Sequence, residues 1–483
     1  MTSSDFYSNA EYSIEAMGRD LEGLTYKGTP VFYFLKIATY LQMKNRYVNG
    51  TRNRFAFWRA SLWGIVRQLW SPDYTTPQRF VSNMADFIVA LDHDHPNLNI
   101  LMLRLVSALG EPRVFILTEN RRIAAEVSGG FAGPCYTPSL ERTMKVTLEH
   151  LQVLKAVYRA TPFFRQEGWG FTLLCFIDLL VAMKLHDFFL THLDPARCQA
   201  VLTLMDIHPS ELALTAAARA KGIPTFTLQH GVAEIMHTPV HSDRIFVWGE
   251  ATKQDLLRLG VPAEKIVISG RPLLDEAAAN YRAQAPSLRA SFRVRHPRGN
   301  SSGPVITYIA GNVGKMEEHA LLSAFAASWS LEISPVVRLK PTIDKELEQC
   351  FQDWISELGG ASEVYVSMND DLYELLAVSD VVIGFQSSVV VEAMAFGGIP
   401  VLLDILPEYH LQVINPHYQD CLIVRNADEL RQLIKRMTED AEYFQQLQEV
   451  SATTATRYFG GKPGVPATRF IRDYIVNFAS PEE

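Results

Sequence analysis

The residues best suited to chemistry lie in one run, Asp380-Val-Val-Ile-Gly384-Phe-Gln-Ser387-Ser388-Val-Val-Val-Glu392-Ala-Met-Ala-Phe-Gly397-Gly398-Ile-Pro400-Val-Leu-Leu-Asp404. An apolar strand enters a small-residue turn, and a helix begins near Ser387. The first turn of a helix presents unpaired N–H groups and the positive end of its dipole, which suits a phosphate. Ser387 and Ser388 add hydroxyl donors. Glu392 falls within the second turn, and helical side chains lean back toward the N-terminus, so its carboxylate can accept from ribose hydroxyls. The competing reading is a capping box, in which Ser388 caps and Glu392 serves the first turn; a spacing of four residues rather than three weakens it.

Three other runs carry candidate chemistry. Gln229-His230-Gly231 ends an apolar stretch, with a titratable imidazole beside a glycine that permits close approach or positive φ. Arg338-Leu339-Lys340-Pro341 places a lysine, a point charge for phosphate, after another strand. Gly311-Asn312-Val313-Gly314 follows a third strand and is either a phosphate cradle or a simple turn; it lacks the spacing and ending of a P-loop. A transfer to a hydroxyl also needs a base. Asp206 and His230 lead for that role, with His208, Glu234 and Glu119 as further options.

Those residues must be positioned by strands and helices. From residue 200 the chain alternates short apolar strands with helices: strands at 200–205, 224–228, 244–248 and 265–268, helices at 210–221 and 252–259. The pattern breaks over 274–303, whose basic, Gly/Ser-rich end reads as an exposed linker. It restarts with strands at 305–309, 334–339, 363–366, 381–383 and 400–403 and helices at 317–328, 345–358, 372–378 and 389–396. Terminal helices are expected at 427–448 and 468–478, helical stretches at 140–190, and a short strand at 112–117. Alternation of this kind implies parallel sheets covered on both faces, with ligands beyond the carboxyl ends of the strands. The expected organisation is a mostly helical extension over 1–105, a first Rossmann-like domain over 106–275, a linker over 276–303, and a second Rossmann-like domain over 304–483.

The Ser-rich turn, Glu392-Ala-Met-Ala-Phe-Gly397 and Ile399-Pro400-Val401 together resemble the donor-binding segment of GT-B glycosyltransferases. Strand-Gln229-His230-Gly231, Asp243-Arg-Ile-Phe-Val-Trp-Gly249, Gly260-Val-Pro-Ala-Glu-Lys-Ile266 and Ser269-Gly270-Arg271-Pro272 resemble transferases of bacterial surface polysaccharides, the capsule, lipopolysaccharide, sialic-acid and Kdo types. The resemblance spans residues 200–405; residues 1–190 have no counterpart in it. It implies an α/β fold of two doubly wound Rossmann-like domains facing a cleft. It also implies a metal-independent transfer from a nucleotide-sugar donor to a surface glycan or glycolipid. Ser387, Ser388, Glu392, Lys340, Gly311 and Asn312 would then face the donor, and Gln229, Gly231, Glu234 and Arg271 the acceptor side of the cleft. In the related sialic-acid and Kdo transferases the Lys-Pro run continues to a histidine; Thr342 stands there, which counts against a CMP-sugar. The alternatives are a sugar-nucleotide 2-epimerase-like isomerase, on the same architecture, and a non-catalytic sugar-nucleotide-binding subunit.

Bulk properties narrow the class. The 483 residues exceed one ordinary core, and 48% hydrophobic with 20% charged residues is a globular composition. A net charge of -8 speaks against a general nucleic-acid binder. Five cysteines without a CxxC pair read as reduced thiols of a cytoplasmic protein, and the N-terminus lacks the pattern of a secretory signal. The apolar run at 171–185 reads as a buried helix. The aromatic, arginine-containing run at 54–70 reads as a helix packed on its own domain, with peripheral contact at the inner membrane face as the alternative. Asp92-His-Asp-His95 reads as a polar loop; no metal and no cofactor besides the sugar nucleotide substrate are expected.

Overall fold

The computed structural model describes residues 3–49, 80, 85–91, 96–110, 113–118, 134–136, 144–167, 169–204, 208–229, 231, 238–296, 303–311, 313–329, 332–340, 345–359, 364–385, 387–406, 418 and 420–479. It opens with helices α1 (Ser3–Asp20) and α2 (Val31–Asn49), joined by an antiparallel hairpin of β1 (Thr25–Tyr26) and β2 (Thr29–Pro30). The next strands are β3 (Phe87–Ala90), β4 (Val114–Thr118), β5 (Pro134–Tyr136), β6 (Ala200–Thr203), β7 (Thr225–Leu228), β8 (Arg244–Val247) and β9 (Ile266–Ile268). They form a parallel sheet in the order β5-β4-β3-β6-β7-β8-β9. Helices α3 (Pro96–Leu109), α4 (Leu148–Ala160), α5 (Pro162–Gln166), α6 (Trp169–His192), α7 (Pro209–Ala220) and α8 (Glu250–Arg258) accompany it. Leu185, Phe188 and Phe189 of α6 and Ala213, Leu214 and Ala217 of α7 cover one face of this sheet. The hairpin and the first two helices pack outside α6, through Tyr26, Phe34 and Leu35 against Phe171, Cys175 and Leu179.

Helix α9 (Leu274–Arg295) leads to the second unit. Its strands are β10 (Val305–Ile309), β11 (Ser334–Arg338), β12 (Tyr365–Ser367), β13 (Val381–Gly384), β14 (Ile399–Leu403) and β15 (Leu422–Val424). They lie parallel in the order β12-β11-β10-β13-β14-β15. Between and after them run α10 (Lys315–Ala326), α11 (Lys345–Glu357), α12 (Leu372–Val378), α13 (Ser388–Phe396), α14 (Ala427–Glu439), α15 (Ala441–Phe459) and α16 (Ala467–Ala479). The strands are short apolar runs with every residue of β10, β13 and β14 buried, as expected of a sheet covered on both faces.

Four expectations need correction. Phe87–Ala90 is not part of a helical extension: β3 sits inside the first sheet between β4 and β6, so that domain begins before residue 106. A four-residue strand buried on both faces has no alternation to betray it. The proposed linker is largely the 22-residue helix α9, opened by Asp275 and Glu276, which continues through Pro286. It is fastened to the second unit, because Arg289 reaches Asp380 (2.8 Å), whose other oxygen accepts from the Val305 N–H (2.9 Å). The helix expected over 427–448 is two, broken at Asp440, whose carboxylate caps the Tyr443 N–H. Finally, α16 returns to the first sheet: Ile471 and Ile475 pack with Phe87, Val89, Leu105 and Phe226. Each of these buried isoleucines contributes roughly 1.5–3 kcal/mol.

The extension is tied down by a buried polar cluster. The Tyr26 hydroxyl donates to Asp187 (2.7 Å), which also meets His150 (3.2 Å) and Lys27 (2.6 Å). Burial opposes the Asp187 charge, but the bonds from His150, Lys27 and Tyr26 outweigh it and hold the carboxyl down at about 2. Beside it, burial pushes His186 down to about 4. Burial, with the charges of Lys36, Lys265 and Arg219, pushes His241 down to about 3. Both imidazoles are therefore neutral in the fold and take up protons on unfolding. Their contribution is fully present above the ordinary value of 6.5 and is lost as pH falls through the interval below it. We expect the melting temperature to fall from pH 7 to pH 4.5, with up to about 1.4 kcal/mol lost per proton per pH unit. Thermal melts across that range check this, and His241→Gln should give a shallower slope than the wild type; a flat profile would contradict it.

Candidate active site

Residues just beyond β8 and β9 at the carboxyl end of the first sheet meet the second unit, and part of the contact is close backbone approach. A side chain on Gly461, after α15, would stand 2.5 Å from the Ser269 carbonyl, and one on Gly249 would stand 2.5 Å from the carbonyls of Arg457 and Tyr458. Asp275 at the start of α9 accepts from the Ala467 N–H at the start of α16 (2.7 Å). The chain thus crosses twice between the units, once in each direction, within a small area.

On the second unit, β13 ends at Gly384, where an added Cβ would lie 2.8 Å from Val390 Cγ2 and 3.1 Å from the Ile309 carbonyl; only glycine lets α13 start so close to the sheet. Ser387 is the N-cap residue, and its hydroxyl makes no capping bond. Ser388 is the first helical residue and donates to Glu392 Oε1 (3.1 Å). The capping-box reading therefore does not describe this turn: Ser388 serves the carboxylate rather than the helix end. Gly397, at φ 92°, closes the helix in the left-handed conformation.

Glu392 is 2% exposed, and its partner comes from the first unit. Arg271 Nη1, just beyond β9, lies 2.6 Å from Glu392 Oε1. That N–H is not aligned along the contact, so the pair is held by charge rather than by a directed hydrogen bond. The guanidinium stacks on the Trp248 ring at 4.3 Å. Trp248 is in turn fixed by Gln229, whose Oε1 accepts from the Trp248 N–H (2.8 Å). The Gln229 amide also donates to the Gly231 carbonyl (2.8 Å) and to Thr252 Oγ1 (3.1 Å). Gly231 has φ 74°. A continuous chain of contacts therefore runs from Gln229 through Trp248 and Arg271 to Glu392 and Ser388, joining two sequence motifs.

Within its own domain the Gln229 amide holds the Gly231 turn and Trp248, and so braces the wall on which Arg271 rests. Of the other expected residues, Asp206, His230, Glu234 and Asn312 lie outside the described residues, as do Glu119 and residues 54–70 and 92–95. His208 is the N-cap residue of α7, and burial lowers its pKa.

Lys340 and Gly311 follow β11 and β10. They meet at a residue not singled out from the sequence, Glu318 of α10, which is 1% exposed and accepts from the Tyr308 hydroxyl (2.9 Å). A Cβ on Gly311 would stand 2.9 Å from Glu318 Oε1, so the loop folds directly over this carboxyl. Burial raises the pKa of Glu318, against the pull of Tyr308, the Val313 and Gly311 backbone and Lys340. Burial lowers that of Lys340, with Glu318 opposing. The only hint in the sequence was a Glu317-Glu318 pair in the first turn after a glycine loop. Among the described residues no cluster of three or more His, Cys, Asp or Glu side chains is arranged to hold a metal ion. No described helix is long and apolar enough to cross a membrane.

No protein-family description matches the chain, and no curated protein sequence matches it significantly. Solved structures do. A glycosyltransferase from Rickettsia africae matches over 83% of this chain and 100% of its own, with a TM-score of 0.54 and 13% identity. A UDP-GlcNAc 2-epimerase from Neisseria meningitidis, bound to UDP-GlcNAc, matches over 81% of this chain and 100% of its own, with a TM-score of 0.50 and 15% identity.

Removing the Gln229 brace takes a partner from the buried Trp248 backbone N–H, from the buried Thr252 hydroxyl and from the half-buried Gly231 carbonyl. Gln229→Ala is expected to lower stability by about 1–3 kcal/mol, measured by urea unfolding. An unchanged midpoint would show that the brace is dispensable. The two parallel sheets and their structural neighbours establish the architecture: this chain has the two-domain GT-B fold.

Proposed function

We propose that the protein is a GT-B glycosyltransferase that moves a sugar from a nucleotide-sugar donor to a glycan or glycolipid of the bacterial surface, without a metal. The observation that carries this reading is the buried carboxylate of Glu392, one turn into a helix that starts at the carboxyl end of the second sheet, with Ser387 and Ser388 at its N-terminus. The helix start suits the phosphates, and the carboxylate suits the ribose hydroxyls. Lys340 and the Gly311 loop would face the leaving phosphate from the neighbouring strands. In the reaction an acceptor hydroxyl attacks the anomeric carbon, the bond to the phosphate oxygen breaks, and a base takes the hydroxyl proton. Asp206 and His230 are the proposed bases. Contact with the inner membrane face, in a cytoplasmic protein, would bring the enzyme to a glycolipid acceptor.

A second reading, sugar-nucleotide 2-epimerisation, is favoured by one observation: the epimerase that shares this fold holds UDP-GlcNAc. Incubation with a sugar nucleotide and no acceptor separates the two, since only an epimerase yields the epimer by NMR.

Binding of UDP-, GDP-, CMP- and dTDP-sugars, followed by calorimetry, tests the shared premise. At least one is expected to bind. Glu392→Ala should weaken it about 10- to 100-fold, the loss of hydrogen bonds to a charged group, and Ser388→Ala by less. Failure of every sugar nucleotide to bind would sink the proposal.

A further inference from the structure

Arg271 and Glu392 occupy each other. Glu392 is the carboxylate proposed above for the ribose, and its Oε1 takes the Arg271 guanidinium and the Ser388 hydroxyl. Arg271 carries five donors on a planar fork. Its one ion pair among the described residues is this one, made without hydrogen-bond alignment, while its flat face rests on Trp248. An arginine so placed is under-used as a donor and is held flat by an aromatic ring, a suitable platform for two phosphate oxygens.

We propose that the Arg271–Glu392 pair is an interdomain latch that selects for ligands carrying a ribose diol and a phosphate on one molecule; this inference rests on the reading of the site as a sugar-nucleotide site. A nucleoside alone can satisfy Glu392, but it displaces Arg271 and strands a largely buried cation. Inorganic phosphate alone can satisfy Arg271, but it leaves the buried carboxylate with the Ser388 hydroxyl and no countercharge. A nucleoside diphosphate replaces both partners at once: the ribose hydroxyls donate to Glu392, and the phosphate oxygens accept from Arg271. The latch thus makes the two halves of the ligand cooperative, although neither half touches the other's protein partner. Arg271 becomes a specificity-determining residue, and the Gln229–Trp248 brace sets the plane in which it acts.

The test is calorimetric titration of the full chain with uridine, inorganic phosphate and UDP. In the wild type UDP is expected to bind at least about 100-fold more tightly than uridine, and phosphate alone to show no measurable binding. In Arg271→Met the advantage of UDP over uridine should shrink about tenfold or more, while uridine binds at least as tightly as before because Glu392 is released. In Glu392→Gln uridine should weaken while the advantage of UDP persists. Should Arg271→Met fail to fold, the Arg271→Gln/Glu392→Gln double variant, a neutral pair of similar volume, should show the same collapse of the ratio. A UDP-to-uridine ratio within twofold of wild type in the arginine variants would overturn the latch and leave the sugar-nucleotide site standing. Failure of wild type to bind UDP or any other nucleotide tried in its place would overturn both.

Discussion

The structure turns on one ion pair between its two halves, Arg271 to Glu392. Burying two charges is expensive, and their attraction repays it only when both are well placed. Here the placement is elaborate. Trp248 supports one partner and Ser388 the other, and Gln229 holds Trp248 by a backbone bond. Around it the chain crosses between the units at positions where glycine is required, because a side chain on Gly461 or Gly249 would collide with backbone of the other unit. Apolar packing joins the units as well, through Ala251 in the second unit's core and Trp248 against Phe459, but the groups nearest Glu392 are polar. A polar ligand can therefore compete for the groups that now hold the lobes together.

Much of the second unit was legible beforehand. Helix α12 falls where it was expected and most strands within two residues, because short, wholly buried apolar runs and acidic or amide caps such as Asp371 are local signals. The strand-turn-helix from Asp380 was readable for the same reason, down to Ser387, Ser388 and Glu392. The features that escaped depend on distance in sequence. Nothing local says that Ile471 packs on Phe87, that Arg289 fastens α9 to Asp380, or that Arg271 meets Glu392. The signal at Gln229 lies in its neighbours, His230 and Gly231, but its hydrogen bonds run to Thr252 and Trp248, which no spacing rule connects to it. Glu318 was hidden in an ordinary acidic first turn.

The added helices at the N-terminus bear on the first lobe, and α2 also touches the segment before β8, where Lys36 donates to Thr238 and Tyr33 packs on His241. They pack on α6 and are pinned by Tyr26, Lys27 and Asp187. Helix α6 and its neighbour α7 in turn carry one face of the first sheet, so the extension stiffens the lobe from which Arg271 projects. The second lobe is stiffened from the other side by α9, held at Asp380, the residue that opens the strand leading to Ser387.

The account is tested most directly by a crystal structure of the protein with UDP, or with whichever nucleotide binds most tightly. It predicts ribose hydroxyls within hydrogen-bonding distance of Glu392, a phosphate on Arg271 and the α13 start, and the Arg271–Glu392 contact opened. A nucleotide bound elsewhere, with that contact intact, would contradict it.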